Sequence, residues 1–242
     1  MVRSKVASAS ILITIFLLSV QSPIYLQDAL SSETNGRSQT TWSGEVVLNN
    51  HYTIPVTDEL VISACTNVTM ANGVRIYVEG RITVEGTSSC PVYFDHAGGG
   101  DHMGIQFNST SNNRGSKIDN ASIIHSTYGI TVYGSNPILS NVSIFDPDDV
   151  GVDLFNSATP VIRNLIIEEA GQDWSFPTYW RYGIGLSIGA GSAPNIDGLV
   201  VNDAITRGLN IWGNSGGLIR NLTLNNISGS TLAQASGIWV QD

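Results

Sequence analysis

Seven carboxylates gather in three short stretches of this sequence. Asp146, Asp148 and Asp149 lie in FDPDDV, Glu168, Glu169 and Asp173 in EEAGQD, and Asp203 in NDAITR. Oxygen donors at this density can ligate Ca²⁺, and glycoside hydrolysis needs two placed carboxyls. Asp148 or Asp149 with Glu168 are the candidate catalytic groups. Asp146, Asp148, Asp149, Glu168, Glu169 and Asp173 are the candidate Ca²⁺ ligands. The plain alternative is a solvated acidic turn, since Asp and Pro are ordinary turn formers. Trp174, Phe176, Tyr179, Trp180 and Tyr182 add five aromatics to the stretch from Asp173 to Tyr182. Flat rings beside carboxylates suit a sugar, whose C–H faces stack while its hydroxyls hydrogen-bond. Trp174, Tyr179, Trp180 and Tyr182 are therefore candidate ligand contacts. The alternative is a loop that folds back over its own small core.

These stretches recur at matching places in a repeat. NPILSNVSI (136–144), TPVIRNLII (159–167), APNIDGLVV (193–201) and GGLIRNLTL (216–224) are one phrase written four times. Its Asn position falls at Asn120, Asn141, Asn164, Gly198 and Asn221, with steps of 21, 23, 34 and 23. A second phrase, Gly–apolar–any–apolar, begins at Gly104, Gly129, Gly151, Gly183, Gly208 and Gly237, with steps of 25, 22, 32, 25 and 29. The two long steps share one insertion, between Ile167 and Gly183. Both phrases alternate with the period of a strand, and Pro137, Pro160 and Pro194 mark a recurrent bend. A step in the low twenties with no helix inside it predicts an all-β solenoid. One coil cannot bury its apolar side alone. Stacked coils can, each Ile, Val or Leu sitting on its counterpart. The repeated Asn predicts a stack of amides along the axis, broken once at Gly198. The segments between the two phrases then stack on one edge and bring the carboxylates together.

GITVYGSNPILSNVSI (129–144) and its copies closely resemble the right-handed parallel β-helix proteins of the pectate-lyase-like superfamily. WSGEVVL from Trp42 and ANGVRIYVEGRITVEGTSSCPVYF (71–94) resemble the early coils of its secreted members. The resemblance covers residues 42–242. It implies a single-stranded right-handed parallel β-helix of about seven to eight coils. The phrase GIWVQD falls in mid-coil, so the expectation is a C-terminal end without its own cap, covered by further coils or a partner. The fold hosts many functions. The polygalacturonase motifs Asn-Thr-Asp, Gly-His-Gly and Arg-Ile-Lys are absent, as is the Arg-x-Pro-x-x-Arg pattern of pectate lyases. VYFDH (92–96) resembles a pectate-lyase segment but reads as an early strand. The resemblance therefore leans away from an enzyme without excluding one. Arg181 and Arg207 fall on the acidic edge as ordinary ion-pair partners.

Cys65 and Cys90 are 25 residues apart, about one coil, and are expected to form a disulfide between stacked neighbours. His51, His96, His102 and His125 show no zinc spacing, and the turn AGGGD between His96 and His102 reads as a crossover. A net charge of −9 excludes a nucleic-acid-binding footprint. Arg3 and Lys5 before the apolar run Ile11 to Val20 predict an export signal over residues 1–30, or an uncleaved anchor as the only membrane contact. Residues 31–41 read as a polar linker. Sequons occur at Asn67, Asn108, Asn120, Asn141, Asn221 and Asn226. Asn108 is the best glycan acceptor, because ladder asparagines are expected to be partly buried and engaged. The expectation is a secreted or cell-surface protein with a carbohydrate-associated binding or structural role. The alternative is a lyase, hydrolase or epimerase of acidic polysaccharides. Ca²⁺ is the one cofactor in view.

Overall fold

The computed structural model describes residues 30–34, 36–171, 182–229 and 235–241. The chain winds as a solenoid with three parallel sheets, A, B and C, each contributing one strand to every turn. Sheet A begins with Arg37–Trp42, Asp58–Ser63 and Arg81–Glu85 and continues through 117–119, 138–140, 161–163, 195–197 and 218–220. Sheet B begins with Glu45–Leu48, Asn67–Met70 and Val92–His96 and continues through 121–124, 142–145, 165–168, 199–202 and 222–225. Sheet C begins with Tyr52–Ile54, Ile76–Val78 and Ile105–Phe107. It continues through 130–133, 152–155, Ile184–Ile188, Arg207–Trp212 and Ser236–Gln241.

Alternation within each strand builds the core. In sheet B, Val68, Phe94, Ile123, Ile144, Ile167, Val201 and Leu224 stand in register and face inward. All but Leu224 are essentially buried, each contributing roughly 1.5–3 kcal/mol. Sheet C does the same with Ile130, Val152, Leu186 and Leu209. At the far end this stops: Ile238 and Val240 pair with Leu209 and Ile211, but are 54% and 65% exposed.

The corner between sheets A and B is the Asn position. Asn120, Asn141, Asn164, Gly198 and Asn221 all have positive φ, a conformation that Asn and Gly adopt more readily than other residues. The expected amide stack is present in part. Asn164 donates to Asn141 at 3.0 Å, Asn141 to Asp119 at 3.0 Å, and Asn221 to Asp197 at 2.7 Å. Asn141 and Asn221 are exposed, against the expectation that ladder asparagines are partly buried. The corner points their side chains outward.

The Gly phrase needs one shift of frame. Val152 pairs with Leu186 and Leu186 with Leu209. The glycine equivalent to Gly151 and Gly208 is therefore Gly185, and Gly183 belongs to the preceding turn. The step from Gly151 to Gly185 is then 34, the same as from Asn164 to Gly198. A Cβ on Gly151 would meet Ile167 Cγ2 at 2.6 Å and the Gly185 carbonyl at 2.8 Å. Only glycine fits at this corner.

Cys65 and Cys90 are bonded across neighbouring coils with Cα atoms 4.8 Å apart. Cys65 has φ 64°, a left-handed conformation at the bridge. Residues 31–41, expected as a linker, largely form strands instead. Leu30–Thr34 pairs antiparallel with Arg37–Trp42, which forms the first strand of sheet A. Their polar side chains gave no apolar period to read, yet the backbone completes the ladder.

Candidate functional site

The corner between sheets B and C carries the chemistry. One step beyond the paired residues Ile124, Phe145, Glu168, Asn202 and Asn225 come His125, Asp146, Glu169, Asp203 and Asn226. Their φ values are 53°, 53°, 59°, 57° and 49°. The same left-handed turn thus presents one polar side chain per coil. This is the edge on which the acidic segments were expected to stack.

The acidic residues divide into separate groups. Asp148 lies beside Asp146 and Asp149, and its carboxyl shares a hydrogen bond with Asp101 of the earlier AGGGD turn. Burial first, then the Asp101 hydrogen bond and the negative charges of Asp101, Asp146 and Asp149, together push Asp148 up to about 8. The Asp101–Asp148 pair therefore holds a proton near neutral pH. Glu168 points onto the outer face of sheet B and accepts from Asn202 at 3.1 Å. Glu169 lines a depression of about 440 Å³ with Asp203, Asn226 and Ser228. The partner of Asp148 is thus Asp101, whose turn reads in the sequence as a crossover.

Histidines supply the rest of the corner. His125 Nδ1 lies 3.0 Å from Asp95 Oδ1, and His96 Nδ1 lies 3.3 Å from the same oxygen. The His96 backbone N–H donates to it at 2.7 Å. The two imidazoles meet edge to face with centroids 4.4 Å apart. Burial raises the Asp95 carboxyl, but hydrogen bonds from His125 and the His96 backbone outweigh it, so Asp95 titrates below its ordinary value. Behind them His102 is buried. Its Nδ1 accepts from the Gly104 N–H at 3.0 Å, which leaves Nε2–H to donate to the Ile124 carbonyl at 3.1 Å. Burial pulls His102 down to about 4, so it is neutral and braces the turn before His125.

Beside Asp95 and His96, the outer face of sheet B holds a depression of about 310 Å³, lined also by Glu45, Asn67, Val68, Thr69 and Tyr93. Tyr93 is 40% exposed, and Phe145 and Ile166 are similarly exposed on the same face. Sheet C is different. Its outward residues Thr131, Asp153, Ser187 and Asn210 are polar but buried. Asn210 and Trp212 bond to Ser187, and Arg207 donates to Asn210 while stacking over Trp239 at 4.8 Å.

Of the aromatic candidates, Trp174, Tyr179 and Trp180, together with Asp173 and Arg181, lie outside the described residues. Tyr182 is buried and donates its hydroxyl to the Gly171 carbonyl at 2.8 Å. It anchors the end of the insertion and offers no face to a ligand. Asn108, the expected glycan acceptor, is half-buried and spends its amide: Nδ2 donates to Glu79, and Oδ1 accepts from Gln106 at 2.7 Å. The nitrogen a glycan would need is occupied.

The histidine cluster is not legible in local spacing, because His96 and His125 are 29 residues apart, wider than the common step. The readable signal was VYFDH set above ASIIH. Val92, Tyr93 and Phe94 pair with Ala121, Ser122 and Ile123, which puts His96 over His125.

No curated protein sequence matches this chain. Among solved structures, an alginate lyase from Paenibacillus sp. str. FPU-7 aligns over 73% of this chain and 67% of its own, with 16% identity and a TM-score of 0.47. The family model described as "right handed beta helix region" matches residues 44–228. With three parallel ladders stacked coil upon coil over the same span, the chain belongs to the right-handed β-helix family.

Proposed function

We infer that this is an exported or cell-surface protein that binds polysaccharide on the outer face of sheet B. The observation that carries this reading is exposed Tyr93 beside the depression lined by Glu45, Asn67, Thr69, Asp95 and His96. A phenol ring stacks on the C–H face of a sugar, while carboxylate and amide groups take its hydroxyls. The apolar N-terminal run and the Cys65–Cys90 bridge support export. Among the described residues no helix is long and apolar enough to cross a membrane. Trp174, Tyr179 and Trp180 are proposed as further sugar contacts.

The test is electrophoresis of the protein through gels holding acidic or neutral polysaccharides. Retardation that Tyr93→Ala removes, with an unchanged melting temperature, is the expected result. Wild-type mobility unaltered in every gel would sink the reading.

A second reading, catalysis on an acidic polysaccharide, is favoured by the Asp101–Asp148 pair, which holds a proton near neutral pH. It expects wild-type protein to shorten such polymers and Asp148→Asn to lose at least about 100-fold in rate. An Asp148→Asn protein with full turnover would remove Asp148 from any mechanism. The crowding of the Asp101, Asp146, Asp148 and Asp149 carboxylates also supports a proposed Ca²⁺ site there, in which the ion would displace the shared proton, tested by repeating the gels with Ca²⁺ and with chelator.

A further inference from the structure

We propose that Asp95, His96 and His125 form a binding site for a divalent transition ion, with Zn²⁺ the ion the donor set favours. The potential ligand atoms of the three residues all lie within 4.8 Å of one another. Asp95 Oδ1 is 3.0 Å from His125 Nδ1 and 3.3 Å from His96 Nδ1. In a tetrahedral zinc site with bonds of about 2.0–2.1 Å, neighbouring ligand atoms stand roughly 3.3 Å apart. The two separations from Asp95 are already close to that spacing, and the third lies within 4.8 Å.

His96 Nδ1 gives the second argument. It is sheltered from solvent, makes no hydrogen bond, and is turned toward the Asp95 carboxylate. A polar atom placed so has given up its water with the Asp95 carboxylate 3.3 Å away but no hydrogen-bond partner in exchange. An ion bridging it to Asp95 and His125 supplies that partner. Two imidazole nitrogens and one carboxylate oxygen are a borderline donor set, suited to zinc, cobalt, nickel or copper and poorly suited to Ca²⁺, which takes oxygen. His102 is not a fourth ligand, since both its ring nitrogens are committed to Gly104 and Ile124. It acts as a positioning residue, holding the carbonyl before His125 and hence the left-handed turn that aims the imidazole. The fourth position is left to water or a bound molecule, reached through the depression that Asp95 and His96 line.

This inference does not rest on the polysaccharide reading, because ion binding is measured with no carbohydrate present. The experiment uses the full chain without a polyhistidine tag, stripped with chelator. Zn²⁺ is titrated by calorimetry, and Co²⁺ by its visible absorption. The expected result is one ion per chain and the intense visible bands of four-coordinate Co²⁺. His96→Gln and His125→Asn should each weaken binding by at least about 10-fold. Asn is chosen because it tolerates positive φ, so loss in that variant is not loss of the turn. Either variant alone is decisive if the other fails to fold. Asp148→Asn, which alters the neighbouring carboxylate group, should bind Zn²⁺ as the wild type does. Absence of Zn²⁺ heat and Co²⁺ bands in the wild type would overturn the site. So would equal binding in wild type and both histidine variants, or loss only in Asp148→Asn, which would move the ion to the carboxylates.

Discussion

At the residue scale, two groups on one corner carry opposite pH dependences. Asp148 titrates near 8 against an ordinary 3.8, so the folded state keeps a proton that the unfolded chain releases. Stability from this group is fully present below about pH 4 and is lost as pH rises through about 8. The wild-type melting temperature should therefore fall more steeply than that of Asp148→Asn between about pH 4 and 8. His102 is lowered to about 4 from 6.5. Its contribution is present above about pH 6.5 and fades as pH falls toward 4. His102→Ala strands the Gly104 N–H and the Ile124 carbonyl and should cost about 2–4 kcal/mol by denaturant unfolding at neutral pH. A loss within experimental error would mean that His102 does not brace the turn.

At the element scale, the corner entering sheet C depends on a column of glycines. Gly129, Gly151, Gly185 and Gly208 each face the next glycine carbonyl and an inward Ile, Val or Leu. Gly151→Ala forces a methyl between Ile167 and Gly185 and should destabilise by about 1–3 kcal/mol. Gly36→Ala is a useful contrast, since nothing lies within 4 Å of its added Cβ and only its φ of 73° opposes the change. The bridge between Cys65 and Cys90 ties neighbouring coils. Replacing both by Ser should lower stability by about 3 kcal/mol in the chain-entropy model, read as a lower denaturant midpoint. These elements were legible in the sequence because their period is local. Register at the insertion was not: GIGL offered two glycines, and only the pairing of Val152 with Leu186 selects Gly185.

For the whole molecule, stability follows the stack. Each coil touches only its neighbours, so protection should track how many neighbours a coil has. Amide exchange is expected to be slowest in the long strands Lys117–Tyr133 and Ile138–Phe155, where the core is fully buried. It should be faster in Leu218–Asn225 and Ser236–Gln241, whose inward residues are partly or fully exposed. Uniform exchange along the chain would contradict a nearest-neighbour solenoid.

By itself the sequence determined the solenoid, its step, its inward residues and the pairing of Cys65 with Cys90. Strand alternation and coil period are written in residues close together, and stacking like on like leaves little choice. It also placed the acidic segments on one edge. Tertiary structure decided which groups there meet. Asp148 faces Asp101 and not Glu168, Tyr182 turns inward, and Asp95 collects His96 and His125. Those outcomes depend on where an irregular crossover and a longer coil set the register. Side-chain direction at a left-handed turn then chooses the partner, and neither is encoded in local spacing.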